Sequence, residues 1–304
     1  MSHRYTLQYA EPATEQGTKP GTETALEWPA GEGDQWNGVC RMETPTNVGT
    51  GFLMHIKHPD KKIKEEKWGL FTCRHVLATS IWGPLCDLKD IKVTFESYTP
   101  IKELSLDSIA KEQSGNKFLI QEDKDLDFFF VELKDVFVQE MKNSGAFLEE
   151  FYEFNVQEWD TSSSKVVQVP SYPQREGLQR RECRRGTLQK SEKGHLALYV
   201  AQTGPGSSGA PLIIQVTEGY PEKMVDKVLA IHRGIWMHPA VPDTKQAVFI
   251  SAIINLIFFH RLPIDFIGLS CFPYCIHSAL CNCAAIILNN RIIYPFMVID
   301  IFQI

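Results

Sequence analysis

The chain has 304 residues, of which 43% are hydrophobic and 22% are charged. This balance is ordinary for a globular protein and excludes a wholly disordered chain. The formal net charge of −6 excludes a protein built for nonspecific nucleic-acid binding, which needs a surplus of Lys and Arg. No nucleic-acid partner is expected.

The segment 1–34 is rich in Glu, Thr, Gly and Pro and lacks an aliphatic pattern. Such a composition cannot offset the entropy lost on ordering, so we predict a mobile leader here. Its first ten residues also lack the apolar stretch of a secretory signal. Synthesis in the cytosol, and a cytoplasmic or nuclear location, are therefore expected.

Short apolar runs predict strands in the first half of the chain, at 39–42, 48–56, 68–73, 91–95 and 117–121. His75 follows the third run, where the sequence Cys73-Arg74-His75 indicates a single helical turn. His55 and His58 flank a charged hairpin tip and are predicted to be exposed. The short spacing between these runs favours an all-β architecture.

Three acidic residues, Asp123, Asp125 and Asp127, precede an aromatic and β-branched run that is typical of a buried strand. Asp127 is the preferred partner for a histidine because the apolar strand begins directly after it, where a buried carboxylate can fix the tautomer of an imidazole. Asp125 remains the alternative for this role.

The second half begins near 147 and predicts strands at 166–169, 196–201, 212–216 and 228–235. Helical spacing over 247–259 predicts a closing helix. A basic cluster made of Arg175, Arg180, Arg181, Arg184 and Arg185 is predicted to be a solvated loop, with docking of an acidic partner as the alternative.

A tight turn, Gly206-Ser207-Ser208-Gly209-Ala210-Pro211, connects two of these apolar runs. Glycines at both ends allow a positive φ, so the Ser208 hydroxyl can project from the bend as a nucleophile. The backbone amides of Gly206 and Ser208 would point into the same hollow and stabilise an oxyanion.

The order His75, Asp127, Ser208, each in its own local context, resembles the trypsin-like (chymotrypsin-fold) serine peptidases. Val48-Gly49-Thr50-Gly51-Phe52 and Ala230-Ile231-His232-Arg233-Gly234 also resemble the strand before the family's histidine and the substrate-lining strand after its serine. The resemblance covers about residues 36 to 260. It implies two six-stranded antiparallel β-barrels with a C-terminal helix, a serine endopeptidase acting on protein or peptide substrates, and no cofactor or metal.

The chain departs from the secreted members of that family in two ways. Ser207 occupies the place of the aspartate before the nucleophile, so activation by a new amino terminus is not expected. Val76 stands where the most frequent bridge has a cysteine, so Cys40, Cys73, Cys86 and Cys183 are interpreted as reduced thiols.

Thr203 and His232 resemble the pair that lines the P1 pocket of glutamyl endopeptidases and of viral proteases that cleave after Gln. Their hydroxyl and imidazole can hydrogen-bond a carboxylate or an amide, and Arg233 would add positive potential. Together with Gly234 they form the predicted substrate-binding set, with Glu or Gln at P1.

The segment 263–304 is predicted to be a hydrophobic, Cys-containing tail outside the barrels. Residues 266–288 contain no Asp, Glu, Lys or Arg. This uncharged stretch is long enough for membrane attachment, although Pro and polar residues make it less apolar than a typical membrane span. The predicted domains are thus 1–34, 35–146, 147–262 and 263–304.

Two other functions compete with an endopeptidase. One is a catalytically inactive module that binds peptides or acts as a scaffold through the same cleft. The other is an esterase of the α/β-hydrolase type, which is disfavoured because that fold needs a helix after the serine and the acid and histidine later in the chain.

Overall fold

The computed structural model describes residues 36–80, 83–96, 98, 100–113, 117–149, 151–152, 165–174, 181–189, 195–235, 244–259, 286–288, 291–294 and 297–300. The chain divides into two compact units between Phe259 and His260. The predicted leader 1–34 lies outside the described residues.

The first half of the larger unit is mainly antiparallel sheet. Its elements are β1 (Val39–Glu43), β2 (Val48–Lys57), β3 (Glu66–Thr72), α1 (Arg74–Leu77), a 3₁₀ turn (Leu88–Asp90), β4 (Lys92–Phe95), β5 (Lys102–Ser105), α2 (Leu106–Ile109), β6 (Glu112–Gln113), β7 (Lys117–Phe118), β8 (Ile120–Asp123), β9 (Phe128–Glu132) and α3 (Asp135–Asn143). Seven of these strands form one sheet in the order β5-β4-β1-β2-β3-β9-β8, and β6 pairs with β7. The sheet therefore has an open order with β5 and β8 at its edges, where a closed six-stranded barrel was predicted.

Aromatic side chains fill the core of this first sheet. The rings of Phe52 and Phe71 stack with centroids 5.5 Å apart, and Phe71 and Phe130 lie 4.8 Å apart. A Cβ at Gly69 would stand 2.0 Å from the Phe130 ring, so the absence of a side chain there makes room for the aromatic run of β9. Close packing of this kind fixes the ends of β3 and β9, which carry the candidate histidine and aspartate.

The second half of the larger unit is a closed antiparallel barrel. Its elements are β10 (Val166–Ser171), β11 (Glu182–Gln189), β12 (Leu196–Ala201), β13 (Pro211–Glu218), β14 (Lys223–Ile235), β15 (Thr244–Phe249) and α4 (Ile250–Phe259). The strand order around the barrel is β10-β11-β12-β15-β14-β13. A closed barrel followed by a helix, together with the first antiparallel sheet, confirms the predicted all-β, chymotrypsin-like fold class.

Two element predictions in this half were wrong. Residues 247–249 belong to β15, and the helix begins at Ile250. Pairing of Ala247 with His232 and of Val248 with Ile231 outweighs the helical spacing of the apolar residues. Arg184 and Arg185 lie in β11 and not in a loop; of the remaining cluster, Arg175 and Arg180 fall outside the described residues.

The histidines of the first hairpin are also more buried than predicted. His55 is 6% exposed and His58 8%. The His55 ring stacks on Trp68 with a centroid distance of 3.7 Å, while His58 makes edge contacts with Phe258 and Phe259 of α4. The closing helix therefore packs against the hairpin and covers it.

A continuous apolar cluster joins the two halves. Ile213, Ile231 and the buried face of α4, including Ile253 and Ile257, share it with the aromatic core of the first sheet. Burial of this apolar cluster holds the first sheet and the barrel together. Between them lie the residues predicted to carry the chemistry.

The smaller unit contains a three-stranded antiparallel sheet made of β16 (Ile286–Leu288), β17 (Arg291–Tyr294) and β18 (Met297–Asp300). Among the described residues, no helix has the length and apolarity to cross a membrane. The membrane attachment predicted for 266–288 lies outside the described residues, except at β16.

Candidate active site

His75 and Asp127 meet at the end of the first sheet. Nδ1 of His75 lies 2.6 Å from Oδ2 of Asp127, and the backbone amide of His75 donates to Oδ1 at 2.9 Å. Both carboxylate oxygens therefore hold the same residue, one through its ring and one through its backbone. The Asp127 side chain is 7% exposed and that of His75 20%, so the carboxylate is covered while the imidazole still faces the cleft.

The turn before β9 explains why Asp127, and not its acidic neighbours, reaches the histidine. Asp123 accepts a hydrogen bond from the amide of Leu126 at 2.7 Å, which closes the turn. Asp125 is exposed at its tip. Asp127 has a positive φ of 56°, a conformation that Asp tolerates better than most residues. The turn thus aims its last carboxylate back at α1.

The turn that carries Ser208 uses its glycines as the sequence predicts. Gly206 and Gly209 have φ values of 86° and 88°. A Cβ at Gly209 would stand 2.1 Å from the carbonyl oxygen of Thr50, and one at Gly206 would stand 2.5 Å from that of Tyr172. Both positions therefore need glycine for two reasons, the backbone conformation and the close approach of another strand.

The two serines of this turn point in opposite directions. Ser207 is fully buried, and its Oγ lies 3.1 Å from Oγ of Ser171. Ser208 is partly exposed, and its hydroxyl lies 3.5 Å from the carbonyl oxygen of Arg233, which is the long limit of a hydrogen bond. Ser208 is thus the serine that faces the cleft.

The amides predicted to stabilise an oxyanion are available. Within the described part of the chain, the backbone N–H groups of Gly206 and Ser208 donate to no other protein group. Their neighbours are occupied, since Ser207 donates to Gly204 at 3.1 Å and Gly209 to His232 at 2.8 Å. An oxyanion hole requires backbone amides that are free to donate, and the amides of Gly206 and Ser208 meet this requirement.

Thr50 links the two halves at this turn and was not singled out from the sequence. Its amide donates to the carbonyl of Ser208 at 2.8 Å, and its hydroxyl donates to the carbonyl of Gly206 at 2.8 Å. The same hydroxyl accepts from the amide of Tyr172 at 3.0 Å, and the Thr50 carbonyl accepts from Thr72 at 2.7 Å. Every polar group of Thr50 is therefore engaged, and two of them hold the nucleophile turn.

Two of the predicted substrate-binding residues, Thr203 and His232, lie beside Tyr199. His232 is 2% exposed, and its Nδ1 lies 2.6 Å from the hydroxyl of Tyr199. Burial, followed by the charges of Lys245 and His75, lowers the pKa of His232 to about 3. The imidazole is therefore neutral at physiological pH. The Thr203 side chain interacts with the same Tyr199 hydroxyl.

Arg233, predicted to add positive potential to a substrate pocket, contacts the candidate acid. The guanidinium is 7% exposed, and its Nε lies 3.5 Å from Oδ2 of Asp127. Gly234, next along β14, has a φ of 135° and nothing within 4 Å of the place where a Cβ would stand, which leaves open space beside the strand.

Among the described residues, Cys73, His75 and Asp127 offer possible metal-binding atoms within 4.8 Å of one another. The Cys73 thiol donates to the carbonyl of His232 at 3.0 Å, and burial raises its pKa well above the ordinary value. Metal ions bind the thiolate. Because the thiol keeps its proton and Oδ2 of Asp127 is already shared, this set fits a metal poorly.

No family model matches the chain, and no curated protein matches it. Solved structures resemble it at low identity. A Glu endopeptidase is 12% identical, with 73% of this chain and 88% of that chain covered and a TM-score of 0.44. The serine protease domain of the Sesbania mosaic virus polyprotein is 17% identical, with coverage of 73% and 93% and a TM-score of 0.43. A serine endoprotease from Yersinia pestis is 13% identical, with coverage of 74% and 62% and a TM-score of 0.46.

The likeness to these proteases is one of fold. The closed barrel followed by a helix, together with the first antiparallel sheet, gives this chain a chymotrypsin-like fold.

Proposed function

We propose that the chain is a serine endopeptidase in which Ser208 is the nucleophile, His75 the general base and Asp127 the group that orients the imidazole. The observation that carries the proposal is the Asp127 carboxylate, which holds both the ring and the backbone of His75. Arg233 links this pair to the partly exposed Ser208, since its Nε lies 3.5 Å from Oδ2 of Asp127 and its carbonyl oxygen lies 3.5 Å from the Ser208 hydroxyl. A buried acid that fixes one tautomer leaves the other ring nitrogen, Nε2, to accept a proton.

In the first step Nε2 of His75 removes the proton of the Ser208 hydroxyl as Oγ attacks the carbonyl carbon of a peptide bond. The carbonyl oxygen becomes an oxyanion, which accepts hydrogen bonds from the amides of Gly206 and Ser208. The imidazolium then gives its proton to the leaving amine, the C–N bond breaks, and an acyl-enzyme ester remains. Water, deprotonated by His75, hydrolyses this ester and restores the hydroxyl.

Hydrolysis of an unbiased peptide library by the purified chain tests the proposal. We expect cleavage by the wild type, and a loss of about 10⁴-fold or more in Ser208→Ala. Ser207→Ala is the matched control, because it removes the neighbouring hydroxyl that faces inward; it should retain most of the activity. Equal cleavage by the wild type and Ser208→Ala, or no cleavage by a folded wild type, contradicts the proposal.

A P1 preference for Gln or Glu stays a prediction, and the His232 environment sharpens it. A phenol that donates to Nδ1 leaves an N–H on Nε2 of the neutral ring. A neutral donor suits the amide oxygen of Gln better than it suits a carboxylate, which binds a cation more strongly. Matched peptides that differ only at P1 test this, and we expect Gln to exceed Glu. Preferred cleavage after aromatic or basic residues contradicts it.

A further inference from the structure

A β-bulge places Arg233 between the candidate acid and the candidate nucleophile. Along the pairing of β14 with β15, His232 lies opposite Ala247 and Gly234 opposite Gln246, so Arg233 is the extra residue of the bulged strand. Bulges beside active sites redirect a side chain away from the regular alternation of a strand. The positive φ of Gly234, 135°, belongs to the same irregularity.

The two ends of Arg233 contact two different members of the proposed triad. Its carbonyl oxygen lies 3.5 Å from the hydroxyl of Ser208. Its Nε lies 3.5 Å from Oδ2 of Asp127, the oxygen that also meets Nδ1 of His75. Nε has no hydrogen-bond partner among the described residues, so the contact with Asp127 is an ion pair without a hydrogen bond.

The charges of Asp127 and Arg233 lie close together in a buried environment. Asp127 and Arg233 are each 7% exposed at the side chain, so solvent screens neither charge strongly. Among the described residues, the thiol of Cys73 interacts with both charges and keeps its proton, and Nδ1 of His75 contacts the carboxylate. His232, next to Arg233 in the chain, is neutral and is acted on by Lys245 and His75. Arg233 is thus a cation in contact with the buried carboxylate.

We propose that Arg233 is a positioning residue of the catalytic site, which holds the Asp127 carboxylate in place and is not a reader of the P1 side chain. This inference rests on the proposed peptidase function and replaces the role expected for Arg233 from the sequence. The same carboxylate oxygen contacts Nδ1 of His75, so the cation lies beside the imidazole as well. Its loss is therefore expected to change the pH dependence of catalysis.

The test is the pH dependence of fluorophosphonate labelling and of peptide cleavage in wild type and Arg233→Gln. Loss of the cation should move the acid limb of both profiles, the part in which the rate falls as the pH falls, to higher pH. The ratio of cleavage rates between P1 Gln and P1 Ala peptides should stay unchanged, and the loss of activity should fall on kcat and not on KM. In Arg233→Lys, which keeps the charge, the acid limb should lie close to its position in the wild type.

Arg74→Gln is the matched control, because it also removes a buried arginine close to His75. The guanidinium of Arg74 pairs with Glu122 at 2.7 Å and donates to the carbonyl of Gly83 at 2.8 Å, away from Asp127. Its effect on the acid limb should be smaller than that of Arg233→Gln. Arg233→Met, whose unbranched side chain fills the same space, is a second neutral variant if the glutamine variant does not fold.

The outcomes separate the two proposals. A wild type that reacts with neither probe nor peptide contradicts the peptidase function itself. A reactive wild type whose acid limb stays in place in the neutral variants overturns the role of Arg233. A changed P1 ratio with an unchanged acid limb returns Arg233 to the substrate pocket.

Discussion

The two halves of the larger unit hold their parts of the candidate site by different means. The first sheet supplies a charged side-chain contact, with both oxygens of Asp127 on His75. The second barrel supplies a serine on a turn that is held through its backbone, by Thr50 and by the lack of room for any Cβ at Gly209. Electrostatics thus fixes the candidate base, and sterics together with backbone hydrogen bonds fix the candidate nucleophile.

Removing the charge of Asp127, at the end of the first sheet, should have the largest effect on the rate of cleavage. Asp127→Asn keeps the shape of the side chain but offers Nδ1 an amide, which favours the wrong tautomer of His75. We expect kcat to fall by about 10⁴-fold, as in other triads of this kind. Rates of peptide cleavage at saturating substrate measure it.

Asp125→Asn is the matched control for this change, since Asp125 is an exposed acid two residues away. It should cleave at nearly the wild-type rate. A similar loss in both variants, or a larger one at Asp125, would show that the contact with His75 is not the one that matters.

Crowding the nucleophile turn should have the next largest effect. Gly209→Ala places a Cβ 2.1 Å from the Thr50 carbonyl and 2.3 Å from the Thr72 hydroxyl, so the turn must move. A displacement of about 1 Å at a reacting group costs about 10²-fold in rate. Cleavage rates of the folded variant measure the loss.

Gly145→Ala separates steric crowding from backbone strain. Gly145 also has a positive φ, 66°, but no atom lies within 4 Å of the place of its Cβ. This variant should lose about 1 kcal/mol of stability and keep its activity. Equal activity in both variants would contradict the claim that close packing holds the serine.

Weakening the backbone anchor should have a smaller effect. Thr50→Val removes the hydroxyl that binds the Gly206 carbonyl and the Tyr172 amide. Leaving such buried groups unpaired costs about 1–3 kcal/mol, so we expect lower stability and an about tenfold lower kcat. Thr50→Ser, which keeps the hydroxyl, should behave like the wild type in urea denaturation and in cleavage. A normal kcat in the valine variant would remove Thr50 from the site.

The smallest effect concerns stability against acid. Burial lowers the pKa of His232 to about 3, whereas an exposed histidine titrates near 6.5. As the pH falls from 6.5 towards 3, the unfolded chain binds a proton that the native chain does not, so the free energy of unfolding decreases. His232→Gln should reduce this slope by up to about 1.4 kcal/mol per pH unit.

Urea denaturation at pH 4 to 7 measures the slope. Ser208→Ala, which removes no titrating group, should give a curve parallel to that of the wild type. If His232→Gln gives the same parallel curve, His232 is not the buried neutral imidazole that the structure describes.

The fold class and the parts of the site could be predicted because they leave local signals. The aromatic run of β9 and the glycines around Ser208 each reflect a local requirement, for a buried strand and for a positive φ. Their order along the chain supplied the resemblance. Asp127 could be singled out because it is the last residue of its turn, directly before the buried strand β9.

Contacts made by residues distant in sequence could not be predicted. Residues 247–249 have helical spacing, yet they pair with β14 because a closed barrel needs a sixth strand. Thr50 is inconspicuous in a strand until Gly206 and Ser208 arrive beside it. Arg233 is redirected by a bulge, and register irregularities of this kind depend on the partner strand. Its charge meets Asp127 only once the two halves have folded together.

Identification of the residue that reacts with a fluorophosphonate tests the central claim most directly. After labelling of the full chain and proteolysis, mass spectrometry should find one adduct on Ser208, and His75→Ala and Asp127→Asn should both suppress it. No adduct on Ser208 of the folded protein, or labelling of Ser208 that is unchanged when His75 is replaced, would contradict the account.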